Sequence, residues 1–389
     1  MISWNRFKKN TKKTALILSG GGARAAYQVG VLKAIAQMLP REKVNPYPII
    51  TGVSAGAINA TALACYARHH RYGIRRLEHV WANFNTRQVY RSDAQGLIVN
   101  FFHWINTLMG GVSHQPQNLS LLNNHPLRDL LRKVLPFDEL ERAIQSGALY
   151  ALCVTASAYT TGESVSFYQG SHELEPWQRH RRIGCRATIG VNHLLASSAI
   201  PFVFPPIRID RQYYGDGSIR FLAPISPAIH LGAEQVLIIG VDPAKEPISL
   251  AGLTTRYPGI ADVAGHVLDS IFVDSLNSDI ERLQRVNNTV DVVGEKKLEK
   301  SDIRLKNIET LMITPSENFE DIAGEYFHRL SRPLKFFMRR FGISESSGKG
   351  VLSFLLFESS FTQRLISLGY EDSLRQKDEI EAFFAHLYH

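Results

Sequence analysis

Two glycine-rich turns, each closing a short apolar run and opening a helix, constrain this chain more than any other feature. Residues 14–18 read Thr-Ala-Leu-Ile-Leu, short and apolar enough for a buried strand, and Ser19-Gly20-Gly21-Gly22 ends the run. From about Ala23, apolar positions recur at helical spacing through Tyr27, Val31 and Ile35, with Leu32 and Leu39 beside them, until Pro40 stops the helix. The unit then repeats. Pro48-Ile49-Ile50-Thr51 is a second short strand, residues 52–56 a second turn, and residues 57–67 an alanine-rich helix able to lie close against a sheet. Strand, tight turn and helix in immediate succession predict a mostly parallel sheet covered by helices on both faces.

Further strands are expected at residues 150–155 and 164–168, joined by a Thr161-Gly162 turn, and at 235–241; 290–293 and 311–313 are shorter candidates. Helical spacing appears over 69–92, in a basic stretch at 126–135, and over 188–198 and 259–286. With 389 residues, 44% of them hydrophobic, the chain can build a large core. Three widely spaced cysteines, Cys65, Cys153 and Cys185, make neither a disulfide framework nor a zinc site.

The chemistry gathers at three places. Gly52-Val53-Ser54-Ala55-Gly56 sets a serine between a strand and a helix. A sharp turn there exposes the side chain at the top of the sheet, beside helix-terminal amides that favour developing negative charge. The pentapeptide alone would equally suit a helix-capping serine; its flanks favour a nucleophile. Gly20-Gly21-Gly22-Ala23-Arg24 can aim several backbone N–H groups one way, as the oxyanion of an acyl intermediate requires. It lacks the Gly-Lys-Ser/Thr of a phosphate loop, and the next glycine, Gly30, falls too deep in the helix for a dinucleotide fingerprint. Arg24 either steadies the loop, meets an anionic head group, or is solvated at the helix start. A serine nucleophile needs a proton acceptor. None of the 14 histidines carries a distinctive local signature. Asp216, in Tyr213-Tyr214-Gly215-Asp216-Gly217-Ser218, is the stronger candidate, although an ordinary turn aspartate reads the same way.

In order and spacing these three motifs resemble those of the bacterial patatin-like phospholipases: Gly-Gly-Gly-x-Arg/Lys, then Gly-x-Ser-x-Gly, then Asp-Gly-Gly or Asp-Gly-Ala. Ala196-Ser197-Ser198-Ala199-Ile200-Pro201, with Phe204-Pro205-Pro206 after it, resembles the family segment before the aspartate. The resemblance covers residues 12–245 and loosens from there to 313. It implies a three-layer α/β/α sandwich like the catalytic domain of cytosolic phospholipase A2. It also implies a Ser54–Asp216 dyad with no histidine partner. Gly20, Gly21, Gly22 and Arg24 would form the oxyanion loop, Gly52, Ala55 and Gly56 the nucleophile elbow, and Gly217 and Ser218 the aspartate loop. No metal or organic cofactor is implied. Ser218 departs from the family's usual third small residue.

On this reading residues 1–13 are a basic tail, 14–245 the catalytic core, 246–313 the rest of the catalytic domain and 314–389 a helical region. The substrate would be a phospholipid, a lysophospholipid or an acylglycerol. A net charge of +8 favours anionic partners. The basic residues are dispersed and no recognition module is visible, which disfavours nucleic acid and favours phospholipid. Two segments are candidates for lipid contact. Residues 97–112 are apolar and aromatic, suiting a mobile cover, a wall of an acyl pocket, or a core helix. Residues 327–341 carry Phe327, Leu330, Leu334, Phe337, Met338 and Phe341 at helical spacing among Arg329, Arg332, Arg339 and Arg340, interrupted by Pro333. That stretch suits an anionic bilayer, or a helix packed on the domain with its basic face in water. The run at 14–18 is too short for a signal-peptide core, so the expected location is the cytoplasm, with peripheral attachment to the inner face of the membrane. Two other functions fit the same motifs: an acyltransferase, and a membrane-associated regulator with little activity.

Overall fold

The computed structural model describes residues 12–40, 45–91, 120, 122–220, 223–243, 259–272, 274–294, 305–340, 342–345 and 347–387. The apolar segment 97–112 lies outside them.

Strand β1 (Thr14–Leu18) leads through a 3₁₀ turn at Gly22–Ala25 into α1 (Ala26–Met38). Strand β2 (Ile49–Val53) runs into α2 (Ala55–Cys65) with only Ser54 between them. Helices α3 (His70–Ala82), α4 (His125–Val134) and α5 (Asp138–Gln145) precede β3 (Ala151–Ala158) and β4 (Ser164–Gly170). Then come β5 (Trp177–Arg179), β6 (Arg182–Arg186), α6 (Val191–Ser197), β7 (Ile207–Ile209), β8 (Gln212–Asp216), α7 (Ser226–His230) and β9 (Gln235–Ile239). Helices α8 (Ile260–Phe272) and α9 (Asp274–Val293) lead to β10 (Glu309–Ile313). The chain continues through α10 (Phe319–Tyr326), α11 (Arg332–Arg340), α12 (Lys349–Leu355), α13 (Ser359–Arg375) and α14 (Lys377–Phe383).

The strands form one sheet in the order β10-β9-β1-β2-β3-β4-β6-β5, with β8 paired to β3 and β7 to β8. From β10 to β3 every neighbour is parallel. Alternate side chains of the same strands enter two separate cores. Leu16, Leu18, Ile50, Leu237 and Ile239 join the core containing α1, α2 and α13. Ala15, Ile17, Ile49, Val236 and Ile238 join the core containing Ala228 of α7 and Leu276 and Leu283 of α9. The two-residue period of a strand thus sends one apolar run to both faces, giving three layers, α/β/α.

The C-terminal helices are built into this domain. Leu365 and Leu368 of α13 share a core with Val31 and Leu32 of α1, and the Tyr27 hydroxyl donates to Asp372 at 3.0 Å. Two sequence expectations fail nearby. Residues 290–293 are the end of α9, not a strand, because Leu276, Leu283 and Val290, seven residues apart, keep one buried face along the helix. The helical stretch expected at 259–286 is two helices, α8 and α9. In the basic amphipathic segment, Phe327, Leu330, Leu334 and Met338 are buried in the core, while Arg329, Arg332, Arg339 and Arg340 are exposed. Among its described residues the apolar face is therefore taken up by the domain, and Phe336 is exposed; Phe341 lies outside the described residues. The stretch is divided near Pro333, into a 3₁₀ turn at Phe327–Arg329 and α11, where the proline sits in the first turn and its missing N–H costs no helical partner. No described helix is long and apolar enough to cross a membrane.

Candidate active site

The sheet register brings two of the sequence motifs together. Strand β4 occupies one edge of β3 along residues 151–157, so β2 and β8 must share the other edge. There Val53 pairs with Thr155, and Asp216 pairs with the next residue, Ala156. The chain leaves β2 at Ser54 and leaves β8 after Asp216, so the serine and the aspartate emerge side by side.

Ser54 has φ 54° and ψ −130°, a conformation that costs a non-glycine residue energy and persists because its surroundings hold it. Its N–H donates to Ser197 Oγ at 2.9 Å, and the Ser197 hydroxyl donates to the Thr155 carbonyl at 2.6 Å. A serine on α6 thereby ties the turn to β3. Gly56 lies against the carbonyls of Leu18 and Ser19, leaving no room for a side chain, so α2 starts close to the end of β1.

Asp216 is fully buried. Its N–H donates to the Ala199 carbonyl, and its Oδ1 accepts from the Ser218 N–H, both at 2.9 Å. Oδ2 is buried and makes no hydrogen bond of regular geometry. Burial raises the Asp216 pKa to about 6; hydrogen bonding from the Ser54 hydroxyl and from the Ser218 amide and hydroxyl pulls against it. No charged side chain contributes. His193, on α6, is turned elsewhere: its Nδ1 accepts from the Gly190 N–H and its ring packs edge-on to Phe167 at 4.8 Å.

The glycine turn completes the site. Gly22 has φ 55°, and the space a side chain would need holds the Phe354 carbonyl of α12. The N–H groups of Gly20, Gly21 and Gly22 donate to no acceptor among the described residues. The first amides of α2 likewise have no acceptor within their helix. Gly22, Ser54 and Ala55 line one cleft. A polar chain fixes the turn from behind: Gln28 donates to the Ser19 carbonyl, Asn59 donates to Gln28 and to the Ala25 carbonyl, and Trp81 donates to Asn59.

Arg24 points away from the cleft. It is fully buried, with Nε donating to Ser353 Oγ at 2.8 Å and its guanidinium stacked 3.9 Å over the Phe354 ring. Nη1 lies 3.0 Å from Asp269 and 3.3 Å from Asp242, and Nη2 lies 3.6 Å from Glu320. The head-group and solvated readings of Arg24 do not match this placement. What the side chain does is hold the loop to α8, α10 and α12. Among the described residues, no group of three His, Cys, Asp or Glu side chains could hold a metal ion.

The cleft encloses about 930 Å³, its open mouth included. Its lining is almost wholly apolar: Ile58 and Ala62 from α2, Leu77, Val80 and Trp81 from α3, Leu127, Leu131 and Val134 from α4. Sequence reading saw α4 only as a basic helix. Its leucine spacing was the available signal, but nothing in the sequence says that this face turns toward Ser54. Gln28, Asn59 and Ser197 were missed as well.

A search of curated proteins finds no match for this chain. Among solved structures it is similar to VipD from Legionella pneumophila, at 14% identity and a TM-score of 0.38, over 95% of this chain and 67% of that one. The family model described as patatin-like phospholipase matches residues 16–229, more than half of the sequence and all three glycine motifs. The chain belongs to the patatin-like phospholipase family.

Proposed function

We propose that the protein is a serine acyl hydrolase of the lipase or phospholipase A type, with Ser54 as nucleophile and Asp216 as base. What supports this above all is the β3 register, which sets the strained serine beside a buried carboxylate whose pKa burial holds at about 6. Such a group is ionised at neutral pH yet basic enough to take a proton. Asp216 accepts the Ser54 proton as Oγ attacks the ester carbonyl. The carbonyl electron pair moves onto oxygen, where the N–H groups of the glycine turn and of Ala55 hold it. The intermediate collapses, the alcohol leaves with the proton from Asp216, and an acyl-enzyme remains. Water, losing its proton to Asp216, attacks the acyl-enzyme; the fatty acid departs and Ser54 regains its hydrogen.

The apolar cleft suits a fatty-acyl chain, so the substrate is a phospholipid, a lysophospholipid or an acylglycerol. The net positive charge suits approach to an anionic bilayer from the cytoplasmic side. The test is fluorophosphonate labelling followed by a lipid-panel assay. Wild type labels and releases fatty acid, S54A does neither, and D216N loses about 10²–10⁴ in turnover. Full hydrolysis by S54A would overturn the reading.

A further inference from the structure

The cleft runs the length of α2. Ala55, Ile58, Ala62 and Tyr66 all line it, three or four residues apart, so they form one stripe leading away from Ser54. Helix α3 lies antiparallel alongside. Near the Ser54 end, Trp81 Nε1 donates to Asn59 Oδ1 at 2.8 Å; at the far end, Gly73 packs against Cβ of Tyr66. At about 1.5 Å per helical residue, Ala62 stands roughly 12 Å and Tyr66 roughly 18 Å from Ser54 along the axis. A C–C bond of about 1.5 Å advances an extended alkyl chain by roughly 1.25 Å. Those two positions therefore correspond to about ten and about fourteen carbons.

The far end closes the apolar path. The missing side chain at Gly73 lets Tyr66 sit against α3, and the Tyr66 ring meets Tyr72 edge-on at 5.5 Å. Arg68, two residues past Tyr66, is exposed, as are Arg75 and Arg76, which follow Gly73 on α3; Arg76 itself lines the cleft. A chain that passes Tyr66 leaves the apolar lining on the side of the exposed Arg68 and gains no further burial.

We propose that Ala62 and Tyr66 set the acyl-chain length that the cleft accepts. Ala62, with its single methyl, keeps the trough open past about ten carbons, and Tyr66 ends it near fourteen. This rests on the acyl-hydrolase reading of Ser54. Each methylene taken out of water is worth roughly a fourfold factor, so a block or an extension of a few carbons is measurable.

The experiment measures kcat/KM of the purified full chain for p-nitrophenyl butyrate, decanoate, myristate and stearate at fixed detergent. In wild type the value climbs to myristate and gains nothing at stearate. In Ala62→Phe the myristate-to-butyrate ratio falls by about tenfold or more. In Tyr66→Ala the stearate-to-myristate ratio rises by about fourfold per methylene newly admitted. Ratios within one preparation cancel any loss of folded protein, and the Tyr66→Ala gain cannot come from misfolding. Unchanged ratios in both variants, with S54A inactive, overturn the length assignment alone. Equal hydrolysis by wild type and S54A overturns the role of Ser54, and the length assignment with it.

Discussion

Two buried charged residues, Arg24 at the glycine turn and Asp216 at the end of β8, are treated in opposite ways. Arg24 is fully buried among Asp242, Asp269 and Glu320, with Ser353 on Nε and the Phe354 ring beneath. Asp216 is fully buried with hydroxyls and an amide for company and no cation contributing to its pKa. A charge wrapped in counter-ions is fixed in place and chemically quiet. A carboxylate buried without one is held at a cost, and a proton relieves that cost. The fold thus anchors its turn with the first and, on the reading proposed above, draws its base from the second.

The largest effect that would test this contrast is expected at Arg24. Arg24→Met removes the guanidinium that Asp242, Asp269 and Glu320 share. Burial and the Asp269 charge already push Glu320 well above the usual carboxylate range, with Arg24 pulling it down. Loss of the guanidinium should cost about 3–5 kcal/mol in urea-induced unfolding at pH 8, and less at pH 5, where protons can replace the missing charge. An unfolding midpoint that does not move at either pH would break the contrast from this side.

Asp216 should respond with the opposite sign. Its folded pKa, about 6, lies above its ordinary value of 3.8, so the folded protein binds more protons than the unfolded chain across that window. Stability contributed by this group is present below pH 3.8 and is lost as pH rises to about 6. Asp216→Asn keeps an acceptor for the Ser218 amide and removes the buried charge. It should raise stability at pH 8 by on the order of 2–3 kcal/mol while turnover collapses, and the gain should vanish near pH 4. A variant that is inactive and also less stable at pH 8 would mean that the carboxylate has a stabilising partner after all.

How much of this could be read from the sequence follows the same division. The α/β class and its first two units were legible because strand, turn and helix are contiguous there, and because strands buried on both faces must be continuously apolar. Ser54 and Asp216 stood out as residues. Their adjacency did not, since it depends on β2 and β8 sharing one edge of β3. The partners of Arg24 lie 218 to 329 positions away, so no local pattern could name them. The basic segment at 327–341 left two readings open, a bilayer surface or the domain, for a related reason. Amphipathic spacing reports that a helix has an apolar face but not which surface covers it, and here the domain core does. The cleft was invisible because α4, far along the chain from α2 and α3, contributes one of its walls.

The smallest expected effect is at Ser218, the position where this chain departs from the family motif. Its N–H donates to Asp216 Oδ1 at 2.9 Å, while its Oγ is buried and has no hydrogen bond of regular geometry. Its hydroxyl is the least of the three influences holding the Asp216 pKa down. Ser218→Ala keeps the amide and removes only that hydroxyl, along with the cost of burying it unpaired. Asp216 should then take its proton at a higher pH. The acid limb of kcat/KM, expected near pH 6 in wild type, should move upward by less than about one unit, the equivalent of no more than about 1.4 kcal/mol. If the limb stays fixed, the hydroxyl only fills space. If it moves downward, the hydroxyl accepts from a protonated Asp216 instead of donating to its carboxylate, and the serine raises the pKa it was expected to lower.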